Sequence, residues 1–200
     1  YVTFKAYGNW STLILEKNAN IYYFDAVQFH FHAPSEHTIN GEYYDGEIHI
    51  VHSLRQDENQ TINLTRNFAV LGIFLEASKT LGEHQFFLEY DPTETHNEFE
   101  LNINEVLGNQ IVSSANFFTY DGGLTTPPCD EVVNWVIMAD PIQVSQTTLS
   151  KFQNAWAQNL SFANGNGNNR VVMPLNGRDV KTGTFNNWSP DATALTRNDD

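Results

Sequence analysis

The sequence predicts a mostly β fold in a single domain. Short apolar, β-branched and aromatic runs recur along the chain, with turn-forming residues between them. One stretch alone, Ser145 to Asn159, has a convincing helical period. The chain shows no repeat at the roughly 20–50-residue period of solenoids and propellers. With 200 residues, 40% of them hydrophobic, it is long and apolar enough to bury one sizeable core.

Taken in order, YVTF at the start is a short, partly alternating strand, and STLILE at 11–16 is apolar and β-branched. Lys17 to Asn20 reads as a turn, and IYYFDAVQFHFH at 21–32 as the following strand. Ala33-Pro34-Ser35 ends or bulges that strand, because proline has no N–H for a central ladder. Asn40-Gly41 is a turn signal, and Glu47 to Leu54 the next strand. FAVLGIFLE at 68–76 is nearly all apolar without alternation, as expected of a strand covered on both faces. Thr80 to Thr95 is polar, and Asn102 to Leu107 suits a short helix with Asn102 as cap and Glu105 three residues later. A run ending at Tyr120 meets Gly122-Gly123, and Val132 to Met138 is a strand ahead of Asp140-Pro141. The helix has Ser145 or Thr147 as its candidate cap and Leu149, Phe152, Ala155, Trp156 and Leu160 on its apolar stripe. Asn164 to Asn169 reads as a loop, and the tail from Asn187 as mostly irregular.

Ten basic and twenty-four acidic residues give a formal net charge of -14, which argues against nucleic acid and anionic membrane as partners. No run is long and apolar enough for a transmembrane helix, and a glycine-rich nucleotide loop and G-x-S-x-G are both absent from the sequence. Cys129 is the sole cysteine. Asn9, Asn59, Asn63, Asn159 and Asn187 each begin an N-x-S/T sequon, which points to a secreted or cell-surface glycoprotein.

The chemistry concentrates in QFHFHAPSEHTINGEYYDGEIHIVH, residues 28–52, which holds five of the seven histidines. His30 and His32 share one face of a strand, and Glu47, His49 and Val51 share one face of the next; His52 has the opposite parity. If the two strands are neighbours, His49 sits across from the His30/His32 pair. Three imidazoles on one face leave a tetrahedral cation an open corner, the layout of catalytic zinc. Histidines at i and i+2 also suit the solvated face of a strand, and Glu36, Glu42 and Glu47 suit an acidic surface. His84 and His96 stand alone in polar loops and read as surface residues. The spacing His30-x-His32-x3-Glu36 also imitates the first metal motif of a cupin, which would put Glu36 on the metal but leaves EIHIVH and LTTPPC unexplained.

Four blocks, in the same order, resemble the alpha-class carbonic anhydrase family: QFHFH with SEHTINGEYYDGEIHIVH, FAVLGIFLE, LTTPPCDEVVNWVIMADPIQVS, and NRVVMPLNGRDV. The resemblance covers about residues 20–180 and implies a large, twisted, mainly antiparallel central sheet with short peripheral helices. It implies Zn2+ held by His30, His32 and His49, with Gln28 holding the ring of His30 and Glu47 that of His49. His37 and Tyr120 match a buried pair behind them. Thr125 resembles a hydroxyl that accepts a hydrogen bond from zinc-bound hydroxide and donates to Glu36, so that a lone pair stays aimed at carbon. Val51, Val70, Leu124, Val133 and Trp135 match an apolar pocket for carbon dioxide, with Thr126 as its hydrophilic wall. The implied activity is reversible hydration of carbon dioxide to bicarbonate and a proton. The alternative is a structural or assembly subunit on the same fold with zinc retained, as a homo-oligomer or in a larger assembly.

The resemblance also implies an N-terminally incomplete domain over residues 1–200, lacking an upstream segment in which fast members carry a proton-shuttling histidine. Cys129 matches a position that, in many secreted members, forms a disulfide with a cysteine of that segment.

Overall fold

The computed structural model describes residues 3–5, 11–17, 19–56, 64–78, 80, 116–157, 167–184 and 194–196. The helix expected at 102–107, the sequons at Asn9, Asn59, Asn63, Asn159 and Asn187, and His84 and His96 lie outside these residues.

Strands dominate, as the alternating runs require. They are β1 (Thr3–Lys5), β2 (Thr12–Lys17), β3 (Asn20–His32), β4 (Thr38–Ile39), β5 (Glu42–Tyr43), β6 (Gly46–Leu54), β7 (Phe68–Ser78), β8 (Asn116–Gly122), β9 (Val133–Met138), β10 (Ile142–Ser145), β11 (Lys181–Thr184) and β12 (Ala194–Thr196). One ten-stranded sheet runs β11-β8-β9-β7-β6-β3-β2-β12, with β1 also on β3 and β10 also on β7. Most pairings are antiparallel; β7 with β9, β10 with β7, and β12 with β2 are parallel. The last pairing shows that the tail is not wholly irregular, since Ala194 to Thr196 lie beside Thr12 to Ile14. β4 and β5 form a separate hairpin whose two loop residues, Asn40 and Gly41, both have positive φ (53° and 85°), the type I′ geometry such loops favour.

Among the described residues there is one helix, α1 (Gln146–Ala157). Ser145 caps it, its Oγ accepting the Thr148 N–H at 3.1 Å. Leu149 and Phe152 of its apolar stripe are buried, and the Phe152 ring stacks on Phe31 with centroids 4.6 Å apart. The helix therefore packs beneath the end of β3 that carries the histidines.

The sheet has two unlike faces. One bears Leu13, Phe24, Phe29, Phe31, Ile48, Ile50, Leu71 and Ile73, which form the main core with α1. The other bears a smaller cluster of Val51, Val70, Phe74, Val133, Trp135 and Ile137. The sheet curls enough for Lys17 of β2 to reach Asp121 of β8 at 2.9 Å and Asn134 of β9 at 2.6 Å, although β3, β6 and β7 lie between β2 and β9 in the sheet.

Candidate metal centre

Register builds the site. β3 and β6 are antiparallel, with His30 opposite His49, His32 opposite Glu47 and Gln28 opposite Val51. A bulge between Ala26 and Gln28 shifts the register by one residue. Phe24 and Ala26 face the core before it, and Phe29 and Phe31 after it. Gln28, His30 and His32 thus share a face with Glu47, His49 and Val51.

The three imidazoles converge. Ring centroids are 5.0 Å apart for His30–His32, 5.2 Å for His30–His49 and 4.7 Å for His32–His49. One nitrogen from each lies within 4.8 Å of the others. All three residues are at most 5% exposed. Each ring is fixed by an acceptor on its outer side. His30 Nδ1 donates to Gln28 Oε1 at 2.9 Å, His32 Nδ1 to the Asn168 carbonyl at 3.2 Å, and His49 Nε2 to Glu47 Oε1 at 2.9 Å. An acceptor on one ring nitrogen leaves the lone pair on the other, so His30 Nε2, His32 Nε2 and His49 Nδ1 present lone pairs inward. Burial, reinforced by the neighbouring imidazoles, lowers the His30 pKa to about 2 and that of His32 to about 4, so both rings are neutral at pH 7.

Glu47 is fully buried and heavily bonded. Its Oε2 accepts the backbone N–H of Glu36 and of His37, each at 2.9 Å, and its Oε1 accepts His37 Nδ1–H at 2.7 Å besides His49. Burial opposes its charge, but His37, His49 and their hydrogen bonds outweigh it and hold the carboxyl well below its usual range. Burial likewise opposes a charged His37, and the Glu47 carboxylate outweighs it, so the His37 pKa rises. His37 Nε2 lies 2.7 Å from the Tyr120 hydroxyl, whose pKa burial pushes up. Gly72 on β7, opposite His49, leaves room for this arrangement. A Cβ there would stand 2.7 Å from Ile137 Cδ1 and 2.8 Å from Glu47 Oε1.

Glu36 projects its carboxylate beside the histidines. Oε1 accepts the Arg170 N–H at 2.7 Å. Oε2 lies 3.4 Å from His32 Nε2 and 3.9 Å from His49 Nδ1 and is buried without a hydrogen-bond partner. Thr125 and Glu36 line the same cavity of about 720 Å³, together with His37, Tyr120 and Leu124. No hydrogen bond joins Thr125 to Glu36. Thr126, partly buried beside Thr125, begins a tight turn closed by Cys129 N–H to its carbonyl at 2.9 Å. Val51, Val70, Val133 and Trp135 gather in the apolar cluster on the histidine face, and Leu124 packs against it. The Trp135 ring stands 4.9 Å from those of both His37 and His49.

His52 is on the opposite face, fully buried, with Nδ1 donating to the Ile50 carbonyl at 3.0 Å and Nε2 accepting from Ser11 Oγ at 2.9 Å. Cys129 is a free thiol, and as the sole cysteine it has no bridging partner within these 200 residues. Asn168, Arg170 and Gly72 were invisible to sequence reasoning as parts of the site.

Three converging imidazole nitrogens on a rigid sheet, each ring oriented from behind and beside an orphaned carboxylate oxygen, suit a cation that prefers tetrahedral nitrogen ligation, which Zn2+ does. The model of the eukaryotic-type carbonic anhydrase family matches residues 2–184. A carbonic anhydrase from Nostoc sp. is 35% identical over 158 residues, 78% of this chain and 53% of that protein. One from Klebsiella pneumoniae is 31% identical over 153 residues, 76% of this chain and 55% of that protein. The chain thus spans about half the length of the curated relatives it matches. Among solved structures, the alpha-carbonic anhydrase from Thermovibrio ammonificans in complex with sulfanilamide superposes with a TM-score of 0.60 at 29% identity, covering 89% of this chain and 77% of that one. A Chlamydomonas reinhardtii carbonic anhydrase in complex with acetazolamide gives 0.63 at 27% identity, covering 90% and 81%.

Proposed function

The chain belongs to the eukaryotic-type carbonic anhydrase family, and on that premise we propose that it hydrates carbon dioxide reversibly to bicarbonate and a proton. The observation that carries this reading is the convergence of His30 Nε2, His32 Nε2 and His49 Nδ1, each ring anchored through its other nitrogen. A Zn2+ bound there supplies a water whose pKa falls from 15.7 to about 7, a nucleophile at neutral pH.

The residues around it do the rest. Neutral imidazoles leave the positive charge of the cation intact. Glu47 holds His49, and Gln28 holds His30. Val51, Val70, Leu124, Val133 and Trp135 form an apolar wall, which suits a small substrate without charge or dipole. The unpartnered Glu36 Oε2 is the acceptor for a hydroxyl entering the site. The Thr125 hydroxyl, which borders the same cavity, is the donor we assign to it. A threonine donating to Glu36 has only its lone pairs left for the nucleophile and so fixes the direction of attack. The Thr125 N–H and the Thr126 hydroxyl then seat the anionic product. Carbon dioxide gains the oxygen and one hydrogen of water, and the second hydrogen leaves as a proton.

We propose further, from the five sequons, that the protein is secreted and N-glycosylated, and, from the family resemblance at that position, that Cys129 pairs with a cysteine outside these residues. The test is stopped-flow hydration by zinc-loaded protein in buffers of varied identity. Catalysis above the buffer background that a primary sulfonamide inhibits is the expected result, and His49→Ala should abolish zinc retention or activity. Full-length, zinc-loaded protein without hydration above the buffer background overturns the enzyme reading and favours a structural or assembly role.

A further inference from the structure

The histidine face exists because β3 is bulged. Ala26 stands opposite His52 and Gln28 opposite Val51, so Val27 is the extra residue. Without the bulge, the parity that puts Phe24 and Ala26 in the core would carry Gln28, His30 and His32 there too, and would turn Phe29 and Phe31 away from it. Ala26-Val27-Gln28 contains no glycine or proline to impose the irregularity, so the flanking strands must hold it. Ser11, at the entry to β2, accepts the Ala26 N–H on its carbonyl at 2.9 Å. Ser11, Ala26 and His52 thus form one row across β2, β3 and β6. The outer two backbones are about 10 Å apart, two strand spacings. The His52 ring spans that gap past the short Ala26 side chain, and its Nε2 accepts from Ser11 Oγ at 2.9 Å. His52 Nδ1 donates to the Ile50 carbonyl, which leaves the lone pair on Nε2. Ser11 is 7% and His52 0% exposed, so the bond does not compete with bulk water.

We propose that the Ser11–His52 bridge is a positioning element of the metal site, holding the bulge that turns Gln28, His30 and His32 to the cavity face. The bridge ties together the two neighbours of β3 at the residue just before the bulge. With β2 and β6 joined across Ala26, β3 cannot slide there to absorb Val27 without breaking a buried bond. The site residues begin two positions further on, at Gln28. His52 has the wrong parity to be a ligand itself, and it acts on the ligands through the strand that carries them. The inference rests on the metal reading of the three histidines.

Ser11→Ala removes the hydroxyl and keeps the carbonyl that Ala26 uses. Ser11→Thr keeps the hydroxyl, and Ser11→Val copies the shape of that variant without it. Zinc affinity is measured by competition with a chromogenic chelator. Amide hydrogen exchange of the metal-free protein is followed residue by residue. The expected result for Ser11→Ala is zinc binding weakened about tenfold, the scale of one buried hydrogen bond left unmade. Faster exchange should be confined to β3 from Ala26 to His32, while β7 and β9 keep the protection of the parent. Ser11→Thr should match the parent, and its difference from Ser11→Val carries the test if Ser11→Ala does not fold. Unchanged zinc affinity in Ser11→Ala overturns the proposal, whatever the exchange pattern. So does faster exchange spread evenly over β3, β7 and β9, which marks general loosening, and so does a Ser11→Thr variant as impaired as Ser11→Ala. Failure of the unsubstituted protein to bind zinc overturns the metal reading instead, and exchange at the bulge then judges the bridge alone.

Discussion

His37 Nδ1 and Glu47 Oε1 lie 2.7 Å apart as an ion pair behind the three converging histidines, with the Glu47 side chain fully buried and that of His37 18% exposed. The pair keeps a carboxylate charged where burial alone would neutralise it, and that carboxylate grips His49. Breaking a buried pair from one side leaves the other charge uncompensated.

Glu47→Gln should therefore weaken zinc binding by about 10–100-fold, the usual effect of losing a partner behind a ligand. The amide preserves the shape but cannot balance His37. Zinc competition titrations check the affinity, and an unchanged constant sinks this account of Glu47.

Thr125→Ala should leave zinc affinity close to that of the parent while lowering turnover about 10–100-fold, the scale of one lost transition-state contact. Glu36→Gln should lower turnover by a similar factor, because the amide offers Thr125 a donor as readily as an acceptor. If the two act as one unit, the double variant should be no slower than the slower single variant. Multiplying losses in stopped-flow hydration would separate them, and full turnover in Thr125→Ala would remove the hydroxyl from the mechanism.

Phe152→Ala should cost about 3–5 kcal/mol of stability, the range for a large aromatic removed from a packed core. Phe152 is 2% exposed and stacks on Phe31, which lies between His30 and His32 in β3. Urea unfolding of the metal-free protein measures the loss. A cost under about 1 kcal/mol would mean that α1 is not what backs this part of the strand.

What the sequence makes legible is what lies close along the chain. Parity places His30 and His32 together and sets His52 apart, and the runs around β3, β6, β7 and β9 carry enough apolar character to be read as strands. The bulge at Ala26–Gln28 is not legible, because Ala26, Val27 and Gln28 include no glycine or proline to mark it. Arg170 acts through its backbone N–H and Asn168 through both its carbonyl and its side-chain amide, in an Asn-rich stretch that has no period and reads as a loop. Gly72 sits in the middle of an apolar strand, and the reason for a glycine there appears only when Glu47 and Ile137 are seen beside it. The β12 pairing escapes because three residues carry too little pattern to set against an irregular tail.

The pH dependence of stability should follow the buried histidines. His52 is fully buried, both ring nitrogens are engaged, and burial lowers its pKa from 6.5 to about 4. A histidine with a depressed native pKa binds its proton more readily when the chain is unfolded. Its contribution is therefore fully present above pH 6.5 and is lost as pH falls from there to about 4. In metal-free protein His30 and His32 act in the same direction, since their pKa values are lowered to about 2 and about 4. Glu47 adds a further loss below its unfolded value of 4.5, since its native pKa is depressed. His37 has the opposite sign: its pKa is raised, so its contribution is present below 6.5 and fades as pH rises through the folded value. Metal-free protein should thus lose stability steadily from pH 6.5 to 4. His52→Gln removes one titrating group and should reduce that slope by up to about 1.4 kcal/mol per pH unit. Urea midpoints at half-unit pH steps give both slopes. Equal slopes for the two proteins would show that His52 binds its proton equally well folded and unfolded.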